Sequence, residues 1–256
     1  MTAMLAYDKH DSSLPDPTGA VNELIGRATE LLTRATERGV AARMFGGVAV
    51  AMVLGERLPE ACRRLPGDLD IAAPKGARRE LTQVLVEGGF AADRPFNALH
   101  GAERMLFEDR DGLKVDVVLE RFRMCHVIPL EEAFTTAGRT LPPSLLLLTK
   151  LQIFELTEKD RLDAISLLAG CDPAELGVET VGRHCGADWG LWRTVTGSLE
   201  AVAAGTPRLT REEHGRLQDN VGELRGAMER APKSMRWRAR ARVGDRARWY
   251  ELPEEP

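Results

Sequence analysis

Apolar side chains recur at Leu24, Ala28, Leu31, Leu32 and Ala35, and this 3.6-residue period predicts a helix capped at Thr18 and ended by Gly39. VAARMF (40–45) reads as a short strand, and Gly46 and Gly47 break from it into a second helix, VAVAMVLGERL, closed by Pro59. Residues 60–67 read as a loop. DLDIAA (68–73) is a strand stopped by Pro74, and a helix follows over 76–88. RMLFEDRDGLKVDVVLE carries two apolar runs around Asp111-Gly112, the dipeptide of a tight turn between antiparallel strands. From Pro142 the texture becomes helix after helix: 142–157, 158–170, 173–184, 187–204 and 210–230. The last opens on the capping-box pair Thr210 and Glu213 and aligns Leu217, Val221, Leu224 and Met228 on one face.

The expected fold is therefore α/β (α+β): a mixed sheet with flanking helices, followed by an all-helical domain. The expected division is a flexible N-terminus (1–17), an α/β domain (18–141), a helical domain (142–232) and a basic, aromatic tail (233–256). With 256 residues and 43% hydrophobic content the chain can bury one large core or two modest ones. A formal net charge of -4 excludes a strong global pull toward nucleic acid or an anionic membrane, so any such binding is local. Cys62, Cys125, Cys171 and Cys185 are scattered with no CxxC pair, which reads as reduced thiols in a cytoplasmic protein. The charged, proline-containing start does not resemble a signal peptide. SLLLLT, the longest apolar run, is far short of the roughly 20 residues that span a bilayer, so no membrane role is expected.

The chemistry concentrates in carboxylates. On a strand, residues i and i+2 share a face, so Asp68 and Asp70 project together about 7 Å apart while Leu69 points into the core. Asp116, flanked by Val115, Val117 and Val118, is a third acid where an unpaired carboxylate is expensive. If the second hairpin strand lies beside the first acidic strand, the three converge. Such hard oxygen ligands suit Mg²⁺, which keeps waters and is usually completed by substrate phosphates. Gly46 and Gly47, where a strand turns into a helix, would let phosphate approach backbone N–H groups at the helix N-terminus. Taken singly, a DxD pair also reads as a solvated turn or a helix cap.

The order strand, GG, helix, loop, DLD strand and later VDVV strand resembles the nucleotidyltransferase superfamily related to DNA polymerase β. The resemblance covers about residues 43 to 170. FGGVAVAMVLGE and DLDI are similar to AbiE-type toxin nucleotidyltransferases and to antibiotic nucleotidyltransferases. LLLLTKLQIFELTEKDRLDAISLL looks like the helical continuation of the AbiE-type enzymes. The resemblance implies that Asp68, Asp70 and Asp116 are catalytic and hold two Mg²⁺ ions. It further implies that an NTP such as ATP is the donor and that Gly46, Gly47, Lys150 and Asp160 bind it, with Lys159 and Asp163 as further candidates. It also brings in a protein antitoxin as a partner. Two features depart from it: the gap from Gly47 to Asp68 is longer, and Pro66-Gly67 replaces the usual small hydroxyl residue before the first aspartate.

Several residues carry two readings. Lys150 either reaches triphosphate oxygens as a point charge or snorkels at the surface. Thr157 with Asp160 resembles a capping box, and Asp163 stands at ion-pair spacing from Lys159. His100 precedes the hairpin and either faces a cleft or is solvated, and Cys125-His126 reads as packing. The tail mixes Lys233, Arg236, Arg238, Arg240, Arg242, Arg246 and Arg248 with Trp237, Trp249 and Tyr250. That mixture can hold a phosphate backbone while stacking bases, or it is a solvated or docked end. Two function classes follow: an Mg²⁺-dependent enzyme moving an NMP onto an acceptor hydroxyl, with RNA or tRNA favoured over a small antibiotic, and a catalytically impaired module that binds NTP or RNA.

Overall fold

Element order in the computed structural model, which describes residues 17–252 with side chains from residue 19, alternates strands and helices and then turns all-helical. The first part runs α1 (Pro17–Glu37), β1 (Arg43–Phe45), α2 (Gly46–Leu54), β2 (Asp68–Ala73), α3 (Arg78–Glu87), β3 (Ala91–Ala92), α4 (Arg94–His100), β4 (Arg104–Glu108), β5 (Lys114–Leu119), β6 (Arg121–Arg123) and β7 (Val127–Pro129). The second part holds α5 (Pro143–Leu151), α6 (Glu158–Gly170), α7 (Pro173–Leu176), α8 (Val178–Ala187), α9 (Trp189–Ala203), α10 (Arg211–Arg230) and α11 (Met235–Val243). The expected mixed sheet with flanking helices and a helical continuation is what forms.

The five-stranded sheet has the order β1-β2-β5-β4-β3. β2 runs parallel to β5 and antiparallel to β1, while β4 is antiparallel to both β5 and β3. Register follows from the apolar pattern: Leu69 pairs with Val115 and Ile71 with Val117, and all four are buried. A one-residue slip would drive the intervening aspartates into that core, so register and site geometry are specified together. One cluster of buried side chains runs from α1 through the sheet into α5, α6, α8, α9 and α10. Among the described residues no helix is long and apolar enough to cross a membrane.

The elements depart from the periodic reading where local capping or burial overrides it. The reading of 1–17 as flexible lies outside the described residues apart from Pro17; α1 already starts there, so Thr18 lies within the helix rather than ahead of it. The first strand shrinks to three residues, and α2 opens on Gly46 itself. α4 went unread for want of a periodic window, yet its start is signalled by Asp93, whose side chain accepts the Phe96 N–H, with proline in the first turn. α5 stops at Leu151, and the next residue, Gln152, is fully buried, its Oε1 accepting the His126 N–H at 2.7 Å. The expected 173–184 helix is split at Gly177.

Arg43 is a buried cation with no carboxylate partner among the described residues. It donates to the carbonyls of Ala133, Ala42 and Thr136, which pins the connector leading to α5 against β1. The tail is docked. α11 is followed by a strap in which Glu251 N–H donates to Cys125 O and Trp249 Nε1 donates to Thr194 Oγ1 at 3.1 Å. Tyr250 stacks on Phe154 at 3.9 Å between ring centroids, and Trp237 donates to Cys185 O.

Candidate active site

Sheet register brings two of the three acids side by side. Asp70 on β2 and Asp116 on β5 are direct partners across the parallel pair, both half-buried on the face opposite the core. Asp68 shares that face two residues earlier, is exposed, and pairs in register with Lys114. Asp70 therefore sits in a row between Phe45 of β1 and Asp116 of β5.

Gly46 and Gly47 open α2 beside this row, and each makes room for a side chain. Gly46 has φ +68°, and a Cβ there would stand 1.8 Å from Asp70 Oδ2. A Cβ on Gly47 would stand 2.4 Å from Arg64 Nη2. The space that the missing side chains leave holds the Asp70 carboxylate and the Arg64 guanidinium. Asp70 thus meets the positive end of the α2 dipole.

The Asp70 carboxyl accepts no side-chain hydrogen bond or ion pair among the described residues. Burial pushes its pKa well above the ordinary carboxylate range, and the charges of Asp68 and Asp116 push it further, while Lys150 and Lys159 pull it back. Asp116 is held differently. Arg104 of β4 grips it side-on, with Nε at 3.0 and 3.1 Å from Oδ1 and Oδ2 and Nη2 at 2.6 Å from Oδ2. That bond raises the Arg104 pKa above its usual value.

A second charge cluster lies behind the glycines. Arg64 forks onto Asp163 at 2.9 and 2.6 Å, and Lys150 Nζ lies 3.1 Å from Asp160 and 3.0 Å from Asp163. Asp160 also accepts the Thr157 hydroxyl at 2.6 Å. Burial alone would lower the Lys150 pKa, but Asp163 and Asp160 more than offset it, with a smaller contribution from the charge of Asp70, so the ammonium is held charged. Lys150 is thus inside a buried network and does not snorkel. Thr157 caps α6, and Asp163 pairs with Arg64 and Lys150 rather than with Lys159, which is exposed. Arg64 escaped the sequence reading because it sits in a non-periodic loop beside a second arginine, Arg63.

The other candidates lie apart from the row. His100 is exposed and stacks on Phe96 at 4.7 Å. Cys125 and His126 are buried, the His126 ring bonding Thr194 at 2.9 Å. Trp237, Trp249 and Tyr250 pack against the chain's own aromatic side chains, which is the docked end among the alternatives the sequence offered. Among the described residues Arg236, Arg238, Arg242 and Arg246 are exposed and without a carboxylate partner.

As they stand, no three acid, histidine or cysteine side chains among the described residues are grouped to enclose a metal ion. The donor chemistry nonetheless fits a hard cation: an in-register pair of half-buried carboxylates, one of them without a side-chain partner among the described residues, with the exposed Asp68 on the same face. No protein-family model and no curated protein matches the chain. Among solved structures it is similar to the lincosamide antibiotic adenylyltransferase LnuA with lincomycin bound, at 15% identity and TM-score 0.41, over 56% of this chain and 94% of that one. It is also similar to the antibiotic-resistance factor ANT(2'')-Ia, at 14% identity and TM-score 0.43, over 72% and 99%. Likeness at this level carries nothing about activity or acceptor.

Proposed function

We propose that the protein is a nucleotidyltransferase that moves a nucleoside monophosphate from an NTP to an acceptor hydroxyl and releases pyrophosphate. The observation that carries this reading is the Asp70–Asp116 register pair, with Asp70 unpartnered at the N-terminus of α2. Asp70 and Asp68 would hold Mg²⁺ and so the triphosphate, and Asp116 would orient the acceptor hydroxyl and share a second ion. The ions would supply charge stabilisation to the attacking and leaving oxygens. The acceptor oxygen forms a bond to the α-phosphorus as the bond to the β-phosphate breaks, and the hydroxyl proton passes toward Asp116. Lys150, held in turn by Asp160 and Asp163, pulls the raised Asp70 pKa back down without cancelling the upward push of burial and of the neighbouring acids. For the acceptor we favour RNA, on exposed arginines that follow α10, among them Arg236, Arg238, Arg242, Arg246 and Arg248.

A second reading, a module that binds NTP or RNA without turnover, is favoured by one observation: both oxygens of Asp116 are engaged by Arg104. Incubation with each α-labelled NTP, Mg²⁺ and total RNA, and separately with aminoglycoside and lincosamide acceptors, separates the two. The enzyme reading expects label transfer that Asp70→Asn abolishes. Asp116→Ala should lower turnover by orders of magnitude while changing NTP affinity much less. Replacing Arg236, Arg238, Arg242 and Arg246 by Gln should flatten the salt dependence of RNA labelling. NTP or RNA binding without transfer to any acceptor would favour the module; absence of NTP binding would sink the enzyme reading, and absence of both NTP and RNA binding would sink both.

A further inference from the structure

We propose that Arg104 is a positioning residue that competes with a divalent cation for Asp116, so that the Arg104–Asp116 pair opens when a cation enters beside Asp70. The inference rests on reading Asp70 and Asp116 as cation ligands. It starts from an asymmetry between two in-register carboxylates: Asp116 has a guanidinium across both oxygens, and Asp70 has no partner. A side-on fork occupies the in-plane lone pairs that a cation would use. Arginine does not lose its proton in proteins, so this contact is released only by movement of the side chain.

The surroundings permit that movement. Arg104 stands opposite Val118, a diagonal neighbour of Asp116, and its side chain is 39% exposed. While it holds Asp116 its guanidinium already lies 5.7 Å from the Phe96 ring centroid, so a cation–π contact flanks the pair and does not depend on the Asp116 bonds. That ring is well anchored, because Asn97 of the same helix makes two hydrogen bonds to the Leu106 backbone, at 3.0 and 2.7 Å. While Arg104 is in place it keeps Asp116 aimed and offsets part of the repulsion within the row.

The test measures Mn²⁺ binding to chelator-treated, nucleotide-free protein by calorimetry, together with the Mn²⁺-induced rise in Tm. Arg104→Gln should tighten Mn²⁺ binding about tenfold and enlarge the Tm rise, since the competitor is gone and the bare carboxylates need the ion more. Arg104→Lys, a point charge that cannot fork both oxygens, should fall between, and it carries the test if the Gln variant does not fold. Adding Asp116→Asn to Arg104→Gln should erase the gain. Unchanged or weaker Mn²⁺ binding in both Arg104 variants, with wild-type binding still lost in Asp70→Asn, overturns the competition alone. No Mn²⁺ binding in any form overturns the competition and the cation-ligand reading together.

Discussion

Gly46 couples a strand to a helix through a missing Cβ. Its φ of +68° costs an alanine about 1–2 kcal/mol on backbone grounds, and the Asp70 carboxylate 1.8 Å from the added methyl adds a clash. Gly46→Ala should therefore destabilise by more than the backbone cost alone. In an Asp70→Ala background the penalty should shrink toward about 1–2 kcal/mol, a coupling that urea denaturation of the four proteins measures. Equal penalties in the two backgrounds would mean that the carboxylate moves away freely. At this scale the sequence was partly legible. The glycines and all three acids stand out from spacing, and Asp70 meets Asp116 because alternation fixes register. What the glycines accommodate was not legible, since Arg64 and Arg104 gain meaning only once strand order brings them to Gly47 and Asp116.

Among elements, the loop before β2, α5 and α6 are joined by Arg64, Lys150, Asp160 and Asp163 rather than by apolar packing alone. Asp163 sits at the centre, with its side chain only 6% exposed and two cations upon it. Asp163→Ala strands both charges and should cost about 3–5 kcal/mol, read as a drop in the urea midpoint at unchanged m-value. A loss below about 1 kcal/mol would show that water reaches the network and screens it. Elements with a long apolar period were legible: α6 and α10 match their expected spans, and α10 carries the expected capping box. The short ones, β3, α4, β6 and β7, were not, because two to seven residues are too few to show an apolar period even where the cap or the pairing partner lies close by. The connector after α5 reads as helix by composition, yet the helix ends at Leu151.

Across the whole molecule, the docked strap and the buried histidines set how stability responds to acid and to truncation. Burial lowers the pKa of His126 and of His184. The unfolded chain therefore binds protons that the folded one refuses, so their contribution is complete above about pH 6.5 and is lost as pH falls through that value. Tm should decline from pH 7.5 to 5.5, and a His126→Gln, His184→Gln double variant should flatten the decline; an equally steep slope in that variant would place the titration elsewhere. Trp249→Ala should cost about 2 kcal/mol, because the half-buried ring packs on Trp189 and Phe154 and its N–H meets Thr194. A solvated tail would tolerate it without a change in Tm. The strap also imposes an order on biosynthesis. Everything it grips, from Cys125 and Phe154 to Trp189 and Thr194, is translated before it, so a nascent chain that has completed its sheet and helices still displays an uncovered aromatic seam. Chaperones and proteases that read exposed aromatic surface would therefore meet this chain until residues 249–251 have docked.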